Sequence, residues 1–249
     1  MAVVLPSRYQ IKLLCHFDND MADSSMYQRT PILSGRNGYR SGTNYSKFDY
    51  SVYALGPSGS SNRYDGRIAY DISDVDLSGQ FCIDYWFRNY GSYSIHQPML
   101  LMPSNVVDPV RINSLDVNPT KLLHYNTNSS STCGVYTYDP INDTLQFAAI
   151  ARNSQINHIA VTRDENNVLR WFNNGTLVVS YTNSYDFTSK EIQVARTYSN
   201  GTGAYILVDE LRVVSGYPCY TSDFTPASTA YTIPDTPHYP FMYKTATVL

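Results

Sequence analysis

The sequence lacks any stretch with the apolar spacing of a long amphipathic helix, and it lacks an apolar run that could span a bilayer. Charged residues are scarce as well, at 16% of the 249 residues, and the formal net charge is -3. A protein that holds nucleic acid needs a basic face, which this balance does not provide. We therefore expect neither a nucleic-acid partner nor insertion into a membrane.

Cysteine is also sparse and is not clustered. The four cysteines are Cys15, Cys82, Cys133 and Cys219. Their separation excludes the close pairs of a zinc site and the density of a disulfide scaffold, so we predict reduced thiols in a chain made in a cytosol. Residues 1–10 contain no apolar segment typical of a cleaved secretion signal.

Short runs in which apolar and polar residues alternate dominate the sequence. In residues 11–17, Leu13, Cys15 and Phe17 share one face, and in residues 81–88 the alternation is between an apolar face and a face with Asp84 and Arg88. Period-two alternation predicts β-strands, and the charged face of the second run predicts a half-solvated side.

Further strands are predicted along the rest of the chain, with loops and short edge strands over residues 34–65 and several proline-bounded strands over residues 97–151. The clearest are residues 157–162, 168–173, 176–181, 191–196 and 204–214. An Asn-Gly pair at Asn174-Gly175 predicts a tight hairpin. Many short strands with polar turns indicate an all-β sandwich or barrel.

Four ordered blocks carry a resemblance to a known family. They are LLCHFD at residues 13–18 with DSS at 23–25, GQFCIDYWFR at 79–88, NHIAVTR at 157–163 with LRWFNNG at 169–175, and DELRV at 209–213 with YTSDFTP at 220–226. The chain resembles the concanavalin A-like lectin/glucanase superfamily, in the LamG-like form found in bacteriophage virion proteins.

The resemblance implies a two-sheet antiparallel jelly-roll β-sandwich. It divides the chain into an N-terminal docking segment at residues 1–10, a LamG-like domain at 11–232 and an extended C-terminal tail at 233–249. The tail contains prolines and aromatic residues, which favour packing on the domain or on a neighbouring protein.

Hydrolysis of polysaccharides requires two carboxylates that face each other across a groove. The nearest pattern is Asp71, Asp74 and Asp76, which we interpret as a turn before the strand at residue 81. Asp209 and Glu210 are adjacent in a predicted strand and so point to opposite faces. The chain is therefore expected not to be an enzyme, and polysaccharide hydrolysis is retained only as a minority alternative.

A calcium site is conceivable in the loop after the first strand. Its ligands would be Asp18, Asp20 and Asp23. A hard cation binds several oxygens from one loop, but Asp residues in such a loop also form Asx turns, and we favour the turns. The histidines are scattered and no nucleophile elbow is present. No other metal site and no cofactor is predicted.

The strand at residues 204–214 contains three charged residues, Asp209, Glu210 and Arg212. They are either ligand contacts or members of ion pairs with Arg163 or Arg170 on neighbouring strands, and we favour the ion pairs. Strict alternation would place Val208, Glu210 and Arg212 on one face and Asp209 and Leu211 on the other.

Tyrosine is abundant, with 23 residues, and is suited both to strands and to sugar or protein contacts. We expect a non-enzymatic bacteriophage virion structural protein, either a capsid decoration or head fibre or a tail-associated protein, which also adheres to host glycans. The alternative is a polysaccharide-binding adhesin or lectin module. Expected partners are other virion proteins, copies of the chain and host-surface glycans, with no glycan-binding residue named.

Overall fold

A computed structural model of the chain describes residues 5–34, 36–42, 46–55, 67–89, 97–103, 120–126, 132–139, 144–151, 156–194 and 206–234. These residues form fifteen strands in two sheets, and every strand pair is antiparallel. The predicted all-β sandwich is thus confirmed. No helix in the described part of the chain is long and apolar enough to cross a membrane.

One sheet has eight strands. They are β1 (Ile11–Cys15), β3 (Arg36–Ser41), β4 (Tyr50–Leu55), β6 (Phe81–Asn89), β11 (Asn157–Arg163), β12 (Val168–Asn173), β13 (Thr176–Thr182) and β15 (Ile206–Ser215). Their order is β13-β12-β11-β6-β15-β4-β3, and β1 also pairs with β15. The four sequence blocks contribute β1, β6, β11, β12 and β15, which places all of them in this sheet.

The other sheet has seven strands. They are β2 (Ile32–Ser34), β5 (Arg67–Asp71), β7 (Gln97–Pro103), β8 (Thr120–Asn126), β9 (Thr132–Asp139), β10 (Thr144–Ala151) and β14 (Glu191–Val194). Their order is β10-β9-β8-β7-β14-β5-β2. The strand β3, from the region predicted as loops and edge strands, lies at an edge of the eight-stranded sheet. The strand β2, which ends where that region begins, lies at an edge of the other sheet.

The main core lies between the two sheets. The eight-stranded sheet contributes Leu13, Phe81, Ile83, Tyr85, Phe87, Val161 and Trp171, and the seven-stranded sheet contributes Ile68, Tyr70, Ile192 and Val194. Each of these side chains is almost completely buried. Burying one such side chain contributes roughly 1.5–3 kcal/mol, so this alternating pattern is what holds the sheets face to face.

The predicted Asn-Gly hairpin joins β12 to β13. Asn174 and Gly175 both have positive φ, at 49° and 80°, which matches the backbone twist of a two-residue turn. The Asn174 side chain accepts a hydrogen bond from the backbone NH of His158 at 2.8 Å, so it also ties the turn to β11.

The outer face of β6, which we define as the face turned away from the main core, corrects one prediction. It was expected to be half-solvated because it carries Asp84 and Arg88. Instead Cys82, Asp84 and Trp86 are all buried. Residues 217–234, here called the covering segment, follow β15 and pack over Cys82 and Asp84. Phe48 packs edge to face on Trp86.

A β-bulge corrects the alternation predicted for β15. Asp209 pairs with Trp86 and Arg212 pairs with Asp84, so four residues of β15 span a stretch in which β6 has three. Glu210 adopts a φ of 51° at this point. The extra residue shifts the pattern by one, which brings Asp209 and Arg212 to the same outer face.

Candidate functional site

The predicted calcium loop is held by hydrogen bonds within the protein. Each carboxylate oxygen of Asp23 accepts two hydrogen bonds. The donors are the backbone NH groups of Leu14, Ser25 and Arg29 and the Ser25 hydroxyl. Asp20 accepts one hydrogen bond from the backbone NH of the residue two positions further on. In the described residues, no three His, Cys, Asp or Glu side chains are grouped so that they could hold a metal ion, and these contacts fit the Asx-turn interpretation.

The three carboxylates of the Asp71, Asp74 and Asp76 stretch are engaged separately. Asp71 and Asp76 each accept a hydrogen bond from the backbone NH of the serine two residues further on. Asp74 forms an ion pair with Arg29 at 2.7 Å. Hydrogen bonds from those serine hydroxyls and from Arg29 hold the pKa of all three below the usual range. A glycosidase acid needs the opposite shift, because it must carry a proton near neutral pH.

The two carboxylates at the bulge bind different parts of the protein. Asp209 Oδ2 accepts the backbone NH groups of Lys47 and Phe48, at 2.8 and 3.0 Å. Asp209 Oδ1 is buried and has no hydrogen-bond partner among the described residues. Burial raises the pKa of Asp209 to about 7, an effect that the two NH groups only partly offset.

Glu210 joins β1 to the covering segment. Its Oε1 lies 2.7 Å from Nδ1 of His16, and its Oε2 accepts the backbone NH of Tyr231 at 2.9 Å. The hydrogen bond to Glu210 raises the pKa of His16 against the opposing effect of burial. The carboxylate is completely buried, so its role is to connect these two elements.

The ion pairs favoured for Arg163 and Arg170 have other partners than predicted. Arg170 pairs with Asp164 at 2.7 Å, within its own hairpin. The buried guanidinium of Arg163 donates instead to four backbone carbonyls: Leu77, Gly79, Asn183 and Tyr185. The prediction failed because strand spacing cannot show that a loop carbonyl is nearer to an arginine than the expected carboxylate is.

Asp84 is the centre of a buried polar cluster on the outer face. Arg212 donates two hydrogen bonds to it, Nε to Oδ1 at 3.0 Å and Nη2 to Oδ2 at 2.7 Å. The hydroxyls of Tyr220 and Tyr231, both in the covering segment, donate to Oδ2 at 2.9 and 2.8 Å. Burial opposes ionisation, but the charge of Arg212 and hydrogen bonds from His158 and Arg212 hold the pKa of Asp84 well below its usual range.

Aromatic rings surround this cluster. The ring of Tyr220 stacks on that of Phe224, with centroids 3.6 Å apart, and Phe172 meets Phe224 edge to face at 5.3 Å. His158 is fully buried beside them, and its Nε2 lies 2.9 Å from the Tyr231 hydroxyl. The histidine therefore has a structural position beneath the covering segment.

The covering segment also holds the β12–β13 hairpin. Phe224 donates its backbone NH to the carbonyl of Gly175 at 2.9 Å, and Asp223 accepts the NH of Leu177 at 2.8 Å. A Cβ atom on Gly175 would lie 1.9 Å from the Phe224 carbonyl oxygen. The glycine is needed here both for its positive φ and for this close approach.

A separate surface near the start of the chain combines aromatic rings with positive charge. We define the tyrosine surface as Arg8, Tyr9, Lys12, Tyr27 and Arg29. Tyr9 is 42% exposed, and Arg8 donates to its hydroxyl at 3.0 Å. The Tyr27 hydroxyl accepts from Lys12 Nζ at 2.5 Å and donates to the Tyr9 carbonyl at 3.3 Å. The guanidinium of Arg29 lies 5.2 Å from the Tyr27 ring centre.

Three cations thus flank two phenol rings, while Asp74 is engaged by Arg29 at the side of this surface. These residues belong to no motif that the sequence displays. The abundance of tyrosine was the only signal, and it does not distinguish a tyrosine at a surface from one in a strand.

Comparison with known proteins gives similarity in structure only. No protein-family description and no curated protein matches the sequence. The binding domain of botulinum neurotoxin serotype G matches with a TM-score of 0.58 and 12% identity, over 86% of this chain and 48% of that one.

Two further structures give similar values. One concerns botulinum neurotoxin type C, whose cell entry depends on two ganglioside molecules (TM-score 0.56, 14% identity, 87% of this chain and 49% of that one). The other is the binding domain of botulinum neurotoxin DC in complex with rat synaptotagmin II (TM-score 0.56, 14% identity, 83% and 48%).

The chain spans about half the length of the solved structures it matches. At these identities the likeness shows the β-sandwich fold, because function depends on particular sites and not on architecture.

Proposed function

We propose that the chain is a non-enzymatic binding protein that attaches to carbohydrate through the tyrosine surface. The observation that carries this proposal is the exposed ring of Tyr9 beside Tyr27, with Arg8, Lys12 and Arg29 around them. A phenol offers a rigid apolar face for the C–H side of a sugar ring and a polar tip for its hydroxyls. Arg8 and Lys12 add donors that suit sugar hydroxyls and carboxylates, whereas Arg29 already donates to the carbonyls of Lys12 and Asp71 and to Asp74.

Two further observations support binding over catalysis. The acidic stretch nearest to a glucanase pattern is held ionised by serines and Arg29. The covering segment packs over Cys82 and Asp84 of β6, in the middle of the eight-stranded sheet, so a ligand cannot use that part of the outer face. The tyrosine surface lies where the chain enters β1 and is open to solvent at Tyr9.

Glycan-array binding by the full chain and by Tyr9→Ala tests the proposal. Tyr9 packs little, so the variant is expected to fold normally and to lose at least about tenfold in affinity. Leu177→Ala is the matched control, because Leu177 is 39% exposed on β13, at an edge of the eight-stranded sheet. Binding to no glycan, or equal binding by Tyr9→Ala, would overturn the proposal.

We further propose that this binding protein is a LamG-like component of a bacteriophage virion. Support comes from the four sequence blocks and their order. Oligomerisation and docking through residues 1–10 and 233–249 are parts of the same proposal; of those segments, the structure describes residues 5–10, 233 and 234. Mass spectrometry of purified particles should detect the chain at a fixed copy number, and its absence from particles contradicts the placement.

A further inference from the structure

Two of the four cysteines, distant in sequence, meet on the outer face. Cys82 lies on β6 and is completely buried in a small apolar cluster with Ile11, Leu14 and Val214. Cys219, in the covering segment, packs against the same cluster and is half-buried. Both thiols are free, and burial together with the neighbouring Cys219 raises the pKa of Cys82.

We propose that Cys82 and Cys219 are a redox site, and that their oxidation to a disulfide locks the covering segment onto the sheet. Because both side chains pack in one small cluster, the two sulfurs can approach to the disulfide bond length of about 2 Å. The rest of the covering segment is already fixed by the Asp84 cluster and by the hairpin, so the link needs no rearrangement there.

The third cysteine whose side chain is described takes no part. Cys15 lies in the main core between the sheets, on the other face of β1 from Leu14, where it contacts Tyr70. The meeting of Cys82 and Cys219 is therefore specific to the covering segment. The prediction of reduced thiols applies to a reducing cytosol, and the pair would be oxidised once the folded protein meets a disulfide oxidant.

The step is a thiol–disulfide exchange with a small disulfide such as oxidised glutathione. The Cys219 thiolate, which solvent reaches, attacks one sulfur of the oxidant and releases one molecule of glutathione. Cys82 then loses its proton and attacks the Cys219 sulfur, which releases the second glutathione. Two protein thiols are oxidised and one glutathione disulfide is reduced to two thiols. Burial raises the pKa of Cys82, so the second attack is the slow one.

The full chain with oxidised glutathione is the test, read by thiol labelling and peptide mass spectrometry. We expect loss of two labelled thiols, a peptide that links Cys82 to Cys219, and a melting temperature higher by roughly 10 °C, since the closed loop is long. Slower proteolysis of residues 217–234 should accompany the link. Dithiothreitol should reverse all of these changes.

Two variants complete the experiment. Cys219→Ser is half-buried and should fold, yet form no link and gain no thermal stability. Cys133→Ala leaves the pair intact and should behave as the native chain does. A stable glutathione adduct on Cys219 beside a free Cys82 would overturn the proposal, and so would a link between two chains through Cys219.

Discussion

Arg212 of β15 binds both carboxylate oxygens of Asp84 on β6, and the two residues face each other in the strand register. Both side chains are buried, and the covering segment closes over them through Tyr220 and Tyr231. The charged pair therefore lies where the sheet and the covering segment meet.

Asp84→Asn should lower the free energy of unfolding by about 3–5 kcal/mol. The variant keeps the size of the side chain but leaves the buried guanidinium of Arg212 without its counter-charge. Urea denaturation measures the loss. Asp74→Asn is the control, because Asp74 is exposed beside Arg29, and it should cost no more than about 1 kcal/mol. Similar losses in the two variants would contradict the assigned role.

Gly175→Ala should destabilise the protein by about 3 kcal/mol or more. The new methyl group would meet the backbone oxygen of Phe224, which has to move together with the covering segment. Gly216→Ala isolates the backbone contribution, since Gly216 also has positive φ but has open space around it, and should cost about 1–2 kcal/mol. Hydrogen exchange over residues 217–234 should rise only in the first variant.

Stability should fall as the pH rises from about 5 to 8. Burial raises the pKa of Asp209 to about 7, so between pH 4 and 7 the folded protein binds a proton that the unfolded chain has lost. That contribution, roughly 2–4 kcal/mol, is lost progressively as the pH rises from about 4 to 7. The hydrogen bond to Glu210 raises the pKa of His16, which gives a loss in the same direction above pH 6.5.

Thermal unfolding across this pH range measures the effect, and Asp209→Asn supplies the control. The amide oxygen can still accept the NH groups of Lys47 and Phe48, but the side chain no longer titrates. Its pH profile should be flatter than that of the native chain. A native profile that rises toward pH 8 would show that Asp209 is ionised in the folded state.

Arg163→Lys should cost about 2–4 kcal/mol, although the charge is kept. Arginine reaches four backbone carbonyls with its planar fork, and an ammonium group has only three donors that radiate from one atom. Arg170→Lys, which keeps a single ion pair with Asp164, should cost less than half as much. Equal costs, measured by urea denaturation, would mean that the carbonyl contacts contribute little.

The strands could be predicted because alternation and turn residues are local signals. β12 begins and ends where the sequence indicated, and β6, β11 and β13 differ by one residue at their ends. The bulge in β15 could not be predicted, because no glycine marks position 210 as one with positive φ; the residue there is Glu210. A charged outer face normally indicates solvent, and nothing near Asp84 in sequence shows that Tyr220 and Tyr231 will cover it.

The covering segment also constrains how the protein is made. Arg212 follows Asp84 by 128 residues and Tyr231 follows it by 147, so a ribosome exposes the carboxylate long before either partner. At ordinary translation rates this interval is on the order of ten seconds. The eight-stranded sheet therefore cannot complete its outer face until residues 217–234 have been synthesised. We expect this part of the fold to form only after Tyr231 has left the ribosome, and chaperones to have time to bind the nascent chain before then.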